Sequence, residues 1–315
     1  MASTAQPKYA YFQGEIVPFE QATVSVMNHT LNYGTGAFGG LRGFWNDDEE
    51  QLFVFRPHDH FKRLLNSAHL LSFELDYTPE QLTDILLELL RTEGWRTNVY
   101  IRPLVYVTDN LIGVKLHGLA PDITMFSLPF GSYVPNEEGT SVNFSSWRRI
   151  DDNAIPARGK IVGAYANSAL IKSEAVRSGF DEALVLNEDG HVCEGSAANF
   201  FMVRDGVVTT PPITANILEG ITRRTVMELL REEMGLDVVE RPIDRTEVYL
   251  AEEAFFCGTG VQIAAITSVE HRAIGTGSIG PLVSELRKLY FEVVQGRVEK
   301  YRHWNAPVYE TIATV

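Results

Sequence analysis

Two Asp-Gly dipeptides, Asp189-Gly190 and Asp205-Gly206, each stand between short apolar runs and constrain the middle of this 315-residue chain more than any other feature. Asp-Gly supplies the positive-φ positions that a two-residue hairpin turn demands. The spacing predicts one hairpin joining residues 182–187 to 191–194 and a second joining 200–203 to Val207-Val208. Glu194 then lies on or beside a strand. Upstream, Ile155-Pro156-Ala157-Arg158-Gly159-Lys160 leads into a helix expected over about 164–178, which Gly179 ends. Lys160 therefore sits just before a helix, in the stretch 158–199 around which the other signals group.

Earlier in the chain, residues 8–26 alternate apolar and polar about Gln13-Gly14, so Tyr9, Phe12, Ile16 and Val17 suggest an opening hairpin leading toward Val24 and Val26. Gly34, Gly36 and Gly39 spell a formal GxGxxG. A dinucleotide fingerprint needs a buried strand before it and a helix after it. Leu31-Asn32-Tyr33 is a poor strand and the run from Leu41 a poor helix start, so a nucleotide-binding oxidoreductase is the alternative from a different class. From Pro57 the pattern turns helical, with Phe61, Leu64, Leu65 and Ala68 on one face and Arg63 beside them. Thr78, Pro79 and Gln81 open a second helix with a capping box, Leu82, Ile85, Leu86, Leu89 and Leu90 form its stripe, and Gly94 ends it. Residues 98–107 and 123–128 read as strands. Arg102 stands in the first of these, where a charge needs either a protein carboxylate or a ligand anion.

Residues 131–140, rich in turn formers, give the best linker, dividing the chain into domains at 1–130 and 141–315. In the second domain, Gly220-Ile221-Thr222 brings free N–H groups and a hydroxyl to a helix start that suits an anion. Gly258-Thr259-Gly260 follows a strand and lets backbone approach a ligand closely. The tail helix opening at Gly280-Pro281 reads as packing alone. A net charge of −14 opposes binding to nucleic acid or an anionic membrane. Two cysteines are too few for a disulfide framework, no cluster has metal-ligand spacing, and no apolar run reaches membrane length; a cytoplasmic setting is expected.

A lysine amine forms Schiff bases with carbonyl compounds such as pyridoxal phosphate when a site holds it unprotonated. The order of Tyr33-Gly34-Thr35, Phe61-Lys62-Arg63-Leu64, Tyr100-Ile101-Arg102-Pro103, Lys160, Tyr165, Glu194-Gly195, Gly220-Ile221-Thr222-Arg223 and Gly258-Thr259 resembles, end to end, the fold-type IV pyridoxal-phosphate aminotransferases, specifically the branched-chain amino-acid aminotransferases. The resemblance implies an α+β protein with a smaller N-terminal α/β domain and a larger C-terminal domain built on a barrel-like mixed sheet. Lys160 would carry pyridoxal 5′-phosphate. Arg63, Gly220, Ile221, Thr222 and Thr259 would hold the phosphate, Tyr165 the ring hydroxyl, Glu194 the ring nitrogen, and Leu218 one ring face. Tyr33, Phe38, Tyr100, Arg102, Tyr133, Thr259 and Gly260 would line the substrate pocket.

Glu194 would keep the ring nitrogen protonated, and Lys160 would move the substrate Cα proton. The implied reaction passes an amino group between branched-chain L-amino acids and 2-oxoglutarate, in a homodimer or larger homo-oligomer. The chain departs from the usual family pattern at Phe38-Gly39-Gly40, Gly260-Val261 and the loop 108–115. These departures leave an (R)-selective amine or D-amino-acid transaminase as the nearest alternative, with an aminodeoxychorismate lyase behind it.

Overall fold

The computed structural model describes residues 6–131 and 139–310, so the expected pocket residue Tyr133 and most of the expected 131–140 linker lie outside the described residues. The chain groups into two compact units, one taking in residues 1–133, 159–163 and 291–315, the other 134–158 and 164–290. Lys160 thus groups with the N-terminal part of the chain, whereas sequence alone put it in the part after 141. The cause is main-chain pairing: Phe38 N–H donates to Lys160 C=O at 2.9 Å, Val162 N–H to Gly36 C=O at 2.8 Å and Gly163 N–H to Gly34 C=O at 3.0 Å.

The first unit opens with β1 (Tyr9–Phe12) and β2 (Glu15–Pro18), an antiparallel hairpin turned at Gln13 and Gly14, both with positive φ (52° and 87°). Val24 and Val26 do not extend it; both are exposed and outside any strand. Next come α1 (His29–Tyr33), β3 (Ala37–Phe38), β4 (Leu41–Asn46), β5 (Gln51–Phe55), α2 (Pro57–Leu70), α3 (Pro79–Glu93), β6 (Val99–Val107) and β7 (Pro121–Pro129). One antiparallel sheet runs from the strand Asn305–Pro307 through β5, β4, β6, β7 and β1 to β2, with β3 paired to β6. Phe61, Leu64 and Ala68 of α2 and Leu82, Leu86, Leu89 and Leu90 of α3 are buried, as the i, i+3, i+4 stripe requires, and Thr78 and Gln81 close a capping box.

The glycine run after α1 is not a dinucleotide fingerprint. It follows a five-residue helix and leads into strands, and its glycines serve backbone packing. A Cβ on Gly34 would lie 2.7 Å from Gly163 Cα, and one on Gly36 2.7 Å from Val105 O. The oxidoreductase reading falls on that geometry.

The second unit contains β8 (Thr140–Arg148), α4 (Tyr165–Arg177), β9 (Glu182–Leu186), β10 (Val192–Gly195), β11 (Asn199–Arg204), β12 (Val207–Thr210), α5 (Ile221–Met234), β13 (Val238–Glu240), β14 (Glu253–Gly258) and β15 (Gln262–Val269). Both hairpins form, β9 with β10 and β11 with β12; Asp205 and Gly206 both take positive φ (50° and 74°), whereas in the longer first turn only Gly190 does (89°). The sheet runs β10-β9-β8-β15-β14-β11-β12-β13; β8 lies parallel to both neighbours and β13 parallel to β12, so the sheet is mixed. In a flat sheet β10 and β11 would stand five strand spacings apart, about 24 Å. Yet only three residues, 196–198, join them, reaching about 14 Å at full extension. The sheet must therefore curl, which is the barrel-like form the resemblance implies. Leu184, Phe200, Met202, Phe256 and Ile266 fill the curl.

Candidate functional site

In the first unit, β3 and the 159–163 segment form a short antiparallel bridge, Ala37 to Ile161, which fixes the direction of Lys160. Lys160 N–H donates to Ser67 Oγ at 3.1 Å, and Ser67 Oγ donates to Arg63 C=O at 2.8 Å, so one hydroxyl couples the lysine backbone to the turn of α2 that carries Arg63. Lys160 Nζ lies 5.0 Å from the Phe38 ring centroid. The Arg102 guanidinium lies 4.7 Å from the same centroid and donates to Tyr100 Oη from Nε at 3.1 Å and Nη2 at 2.8 Å. Among the described residues Arg102 meets no carboxylate within ion-pair distance.

Tyr33 ends α1. Its hydroxyl accepts from Gly113 N–H at 3.0 Å, while His29 Nε2 pairs with Gly113 C=O and His29 Nδ1 with Thr35 Oγ1, both at 2.6 Å. One residue of the loop after β6, Gly113, is thereby held through its N–H and its C=O by two rings one helical turn apart. The departure at Gly39 has a local reason: a Cβ there would lie 2.7 Å from Pro103 Cγ, and one on Gly40 2.5 Å from Tyr100 Oη. A larger residue at either position would displace the β6 side chains that surround Phe38.

In the second unit the pairing of β10 with β9 slips between Val192 and Gly195, a bulge that re-aims Glu194. The Glu194 side chain is 4% exposed, and each carboxylate oxygen is engaged. Oε1 meets Arg149 Nη2 at 2.9 Å; Oε2 accepts from Asn199 Nδ2 at 3.0 Å and Leu218 N–H at 3.3 Å. Burial is the largest single influence on Arg149 and opposes its charge, but the Glu194 carboxylate together with Cys193 and Tyr165 outweighs it and raises the guanidinium pKa above its ordinary value. Burial pushes the neighbouring Cys193 thiol well above its usual range, with Glu194 adding to the shift, so it stays a protonated core residue. Both cysteines are buried and free.

Asn199 joins Glu194 to the start of α5. Its Nδ2 also donates to Leu218 C=O at 2.9 Å, and its Oδ1 faces Gly220 so closely that a Cβ there would lie 2.0 Å away. Gly220 is the N-cap of α5, with no side-chain cap and no acid in the first turn, while Ile221 and Thr222 are buried. Such a start leaves backbone N–H groups and the positive end of the helix dipole for an anion. Thr259 and Gly260, partly buried, occupy the turn between β14 and β15, and Gly258 backs onto Ala197 and Ala198. Tyr165 opens α4, and its charge interaction reaches Arg149.

The second unit thus offers a buried acid braced by a cation and, through one asparagine, an uncapped helix start. An acid for a pyridine nitrogen and N–H groups for a phosphate are what pyridoxal phosphate requires, and the side chains fit that group. Sequence reasoning missed Arg149, Asn199 and Ser67. The legible trace of Asn199 is a polar residue opening the apolar strand β11; Arg149 follows another arginine at a strand end and gives no spacing signal.

The amino-transferase class IV family model matches residues 47–269. A probable branched-chain-amino-acid aminotransferase of Aquifex aeolicus is 44% identical over 302 residues, covering 96% of this chain and 97% of the relative. The branched-chain aminotransferase of Thermoproteus uzoniensis, solved with norvaline, is 39% identical with a TM-score of 0.92, covering 96% of this chain and 100% of that one. The branched-chain amino acid aminotransferase of Thermobaculum terrenum in its pyridoxal-phosphate form is also 39% identical, with a TM-score of 0.92 over 96% of this chain and 99% of that one. Among the described residues no helix is long and apolar enough to cross a membrane, and no group of His, Cys, Asp and Glu is placed to hold a metal ion.

Proposed function

The chain belongs to the class IV amino-transferases, and on that premise we propose that it is a pyridoxal-phosphate transaminase moving amino groups between branched-chain L-amino acids and 2-oxoglutarate. The observation that carries the reading is the Asn199 link, which ties the braced Glu194 carboxylate to the uncapped start of α5. When bound, the cofactor supplies an electron sink for the pair left as the substrate Cα proton departs. Lys160 Nζ would hold the cofactor covalently and carry the Cα proton as general acid and base. Glu194 would hold the ring nitrogen, Tyr165 the ring hydroxyl and Leu218 one ring face. Arg63, Gly220, Ile221, Thr222 and Thr259 would hold the phosphate.

Tyr33, Phe38, Tyr100, Arg102, Thr259 and Gly260 would orient the substrate. Arg102 suits a carboxylate of 2-oxoglutarate, because its guanidinium is fixed by Tyr100 and Phe38 and meets no acid among the described residues. A homodimer is the smallest assembly we propose, in a reducing compartment that keeps both free cysteines as thiols. The names of the relatives weigh against an (R)-amine or D-amino-acid specificity. The test is to add L-leucine, D-alanine and (R)-1-phenylethylamine separately and follow conversion of the bound cofactor to its aminated form by absorption. L-leucine is expected to convert it. Conversion by either of the others with no response to L-leucine would overturn the substrate assignment and leave amino transfer standing.

A further inference from the structure

We propose that Arg149 is a positioning residue that keeps Glu194 ionised, so that the proton shared between Glu194 and the cofactor ring nitrogen rests on the nitrogen. The inference rests on the reading that Glu194 holds that nitrogen. A carboxyl group and a pyridine nitrogen can share a proton in two ways, as carboxylate with pyridinium or as neutral acid with neutral ring. The heavy atoms sit almost alike in both. Only the first makes the ring a strong electron sink, so the location of the proton matters more than the contact itself.

Burial alone would favour the wrong form. Glu194 is 3% exposed, and desolvation raises the proton affinity of a carboxylate. Three donors oppose this, Arg149, Asn199 and the Leu218 N–H, but Asn199 and Leu218 are neutral. Of these three it is Arg149 that carries charge, and a guanidinium does not deprotonate in proteins. It is also fixed rather than mobile. Its Nε donates to Asn216 C=O at 3.2 Å and its N–H to Leu186 C=O at 3.0 Å. Asn216 in turn holds a left-handed backbone at φ 56°, with its side chain tied to Asp151, Asn187 and the Asp152 N–H. A surface arginine would swing away from an acid that took up a proton; this one keeps its charge 2.9 Å from Oε1.

The experiment reconstitutes the wild type, Arg149→Met and Arg149→Lys with pyridoxal phosphate labelled with ¹⁵N in the ring, and follows the nitrogen resonance against pH. Protonated and neutral ring nitrogens resonate well apart. The wild-type nitrogen is expected to be protonated at neutral pH, that of Arg149→Met neutral, and that of Arg149→Lys to lose its proton at a pH between the two. The rate of the L-leucine half-reaction should fall about tenfold for each unit by which the nitrogen pKa drops, with L-leucine affinity unchanged. A nitrogen in Arg149→Met that stays protonated over the wild-type range overturns the proposal and leaves Arg149 a packing residue. If Arg149→Met does not fold, Arg149→Gln, which keeps a donor but removes the charge, takes its place, and a titration of Arg149→Gln superimposable on the wild type overturns the proposal equally. A wild-type protein that takes up no cofactor refutes the functional reading instead.

Discussion

Replacing Gly220 by alanine tests the link between the acid and the start of α5. The backbone at Gly220 is extended, φ −69° and ψ 134°, so alanine meets no dihedral penalty there. The new Cβ, however, would stand 2.0 Å from Asn199 Oδ1, and the asparagine must move. Moving it strips Nδ2 from Glu194 at 3.0 Å and from Leu218 C=O at 2.9 Å. A hydrogen bond to a charged group contributes about 1.5–3 kcal/mol and a neutral one about 0.5–1.5 kcal/mol. The single variant should therefore lose about 2–4.5 kcal/mol, seen by calorimetry as a fall of roughly 4–18 °C in Tm at about 2–4 °C per kcal/mol for a unit of this size. The decisive comparison is the double variant. In an Asn199→Ala background the obstacle is gone, and the remaining effects, a poorer N-cap against a stiffer unfolded chain, nearly cancel within about 1 kcal/mol. The coupling between the sites should thus reach about 2 kcal/mol. Equal costs of Gly220→Ala in both backgrounds would refute the argument that Asn199 is what glycine accommodates.

Arg102→Met should raise KM for 2-oxoglutarate by about 10–100-fold, the loss of one charge-assisted bond of about 1.5–3 kcal/mol, with little change in cofactor uptake; steady-state kinetics over acceptor concentration measures it. His29→Phe keeps the ring but removes the tie to Gly113 C=O, so hydrogen exchange and limited proteolysis at residues 108–118 should rise while the global transition changes less. The Arg241 hydrogen bond, the largest influence on Glu247, holds its carboxyl below the ordinary range. A depressed carboxylate pKa stabilises the fold above the unfolded value near about 4.3 and loses that contribution as pH falls through the folded value. Urea unfolding from neutral to acid pH should accordingly show a shallower acid loss in Glu247→Gln than in wild type.

Elements that rest on local chemistry were legible in the sequence. The Asp-Gly hairpins, the Thr78 capping box and the leucine stripe of α3 each depend on residues a few positions apart, and all appear where the pattern places them. What was not legible depends on distant partners. The segment around Lys160 pairs with 34–38 across more than a hundred residues, and the strand Asn305–Pro307 closes the first sheet against β5. Val24 and Val26 alternate correctly for a strand but find no partner to pair with, and remain exposed. In the site, Glu194 and Gly220 could be named from order along the chain. Arg149 could not, because its role comes from β9, whose Leu186 pairs with Val192 of β10 and accepts the Arg149 N–H.

We propose that Lys160 holds pyridoxal phosphate in this amino-transferase. The direct measurement is borohydride reduction of the purified, cofactor-loaded protein followed by peptide mass analysis. Reduction is expected to abolish the absorption near the visible edge and leave one phosphopyridoxyl group on the peptide containing Lys160. A protein without that absorption, or a label on any other lysine, contradicts it.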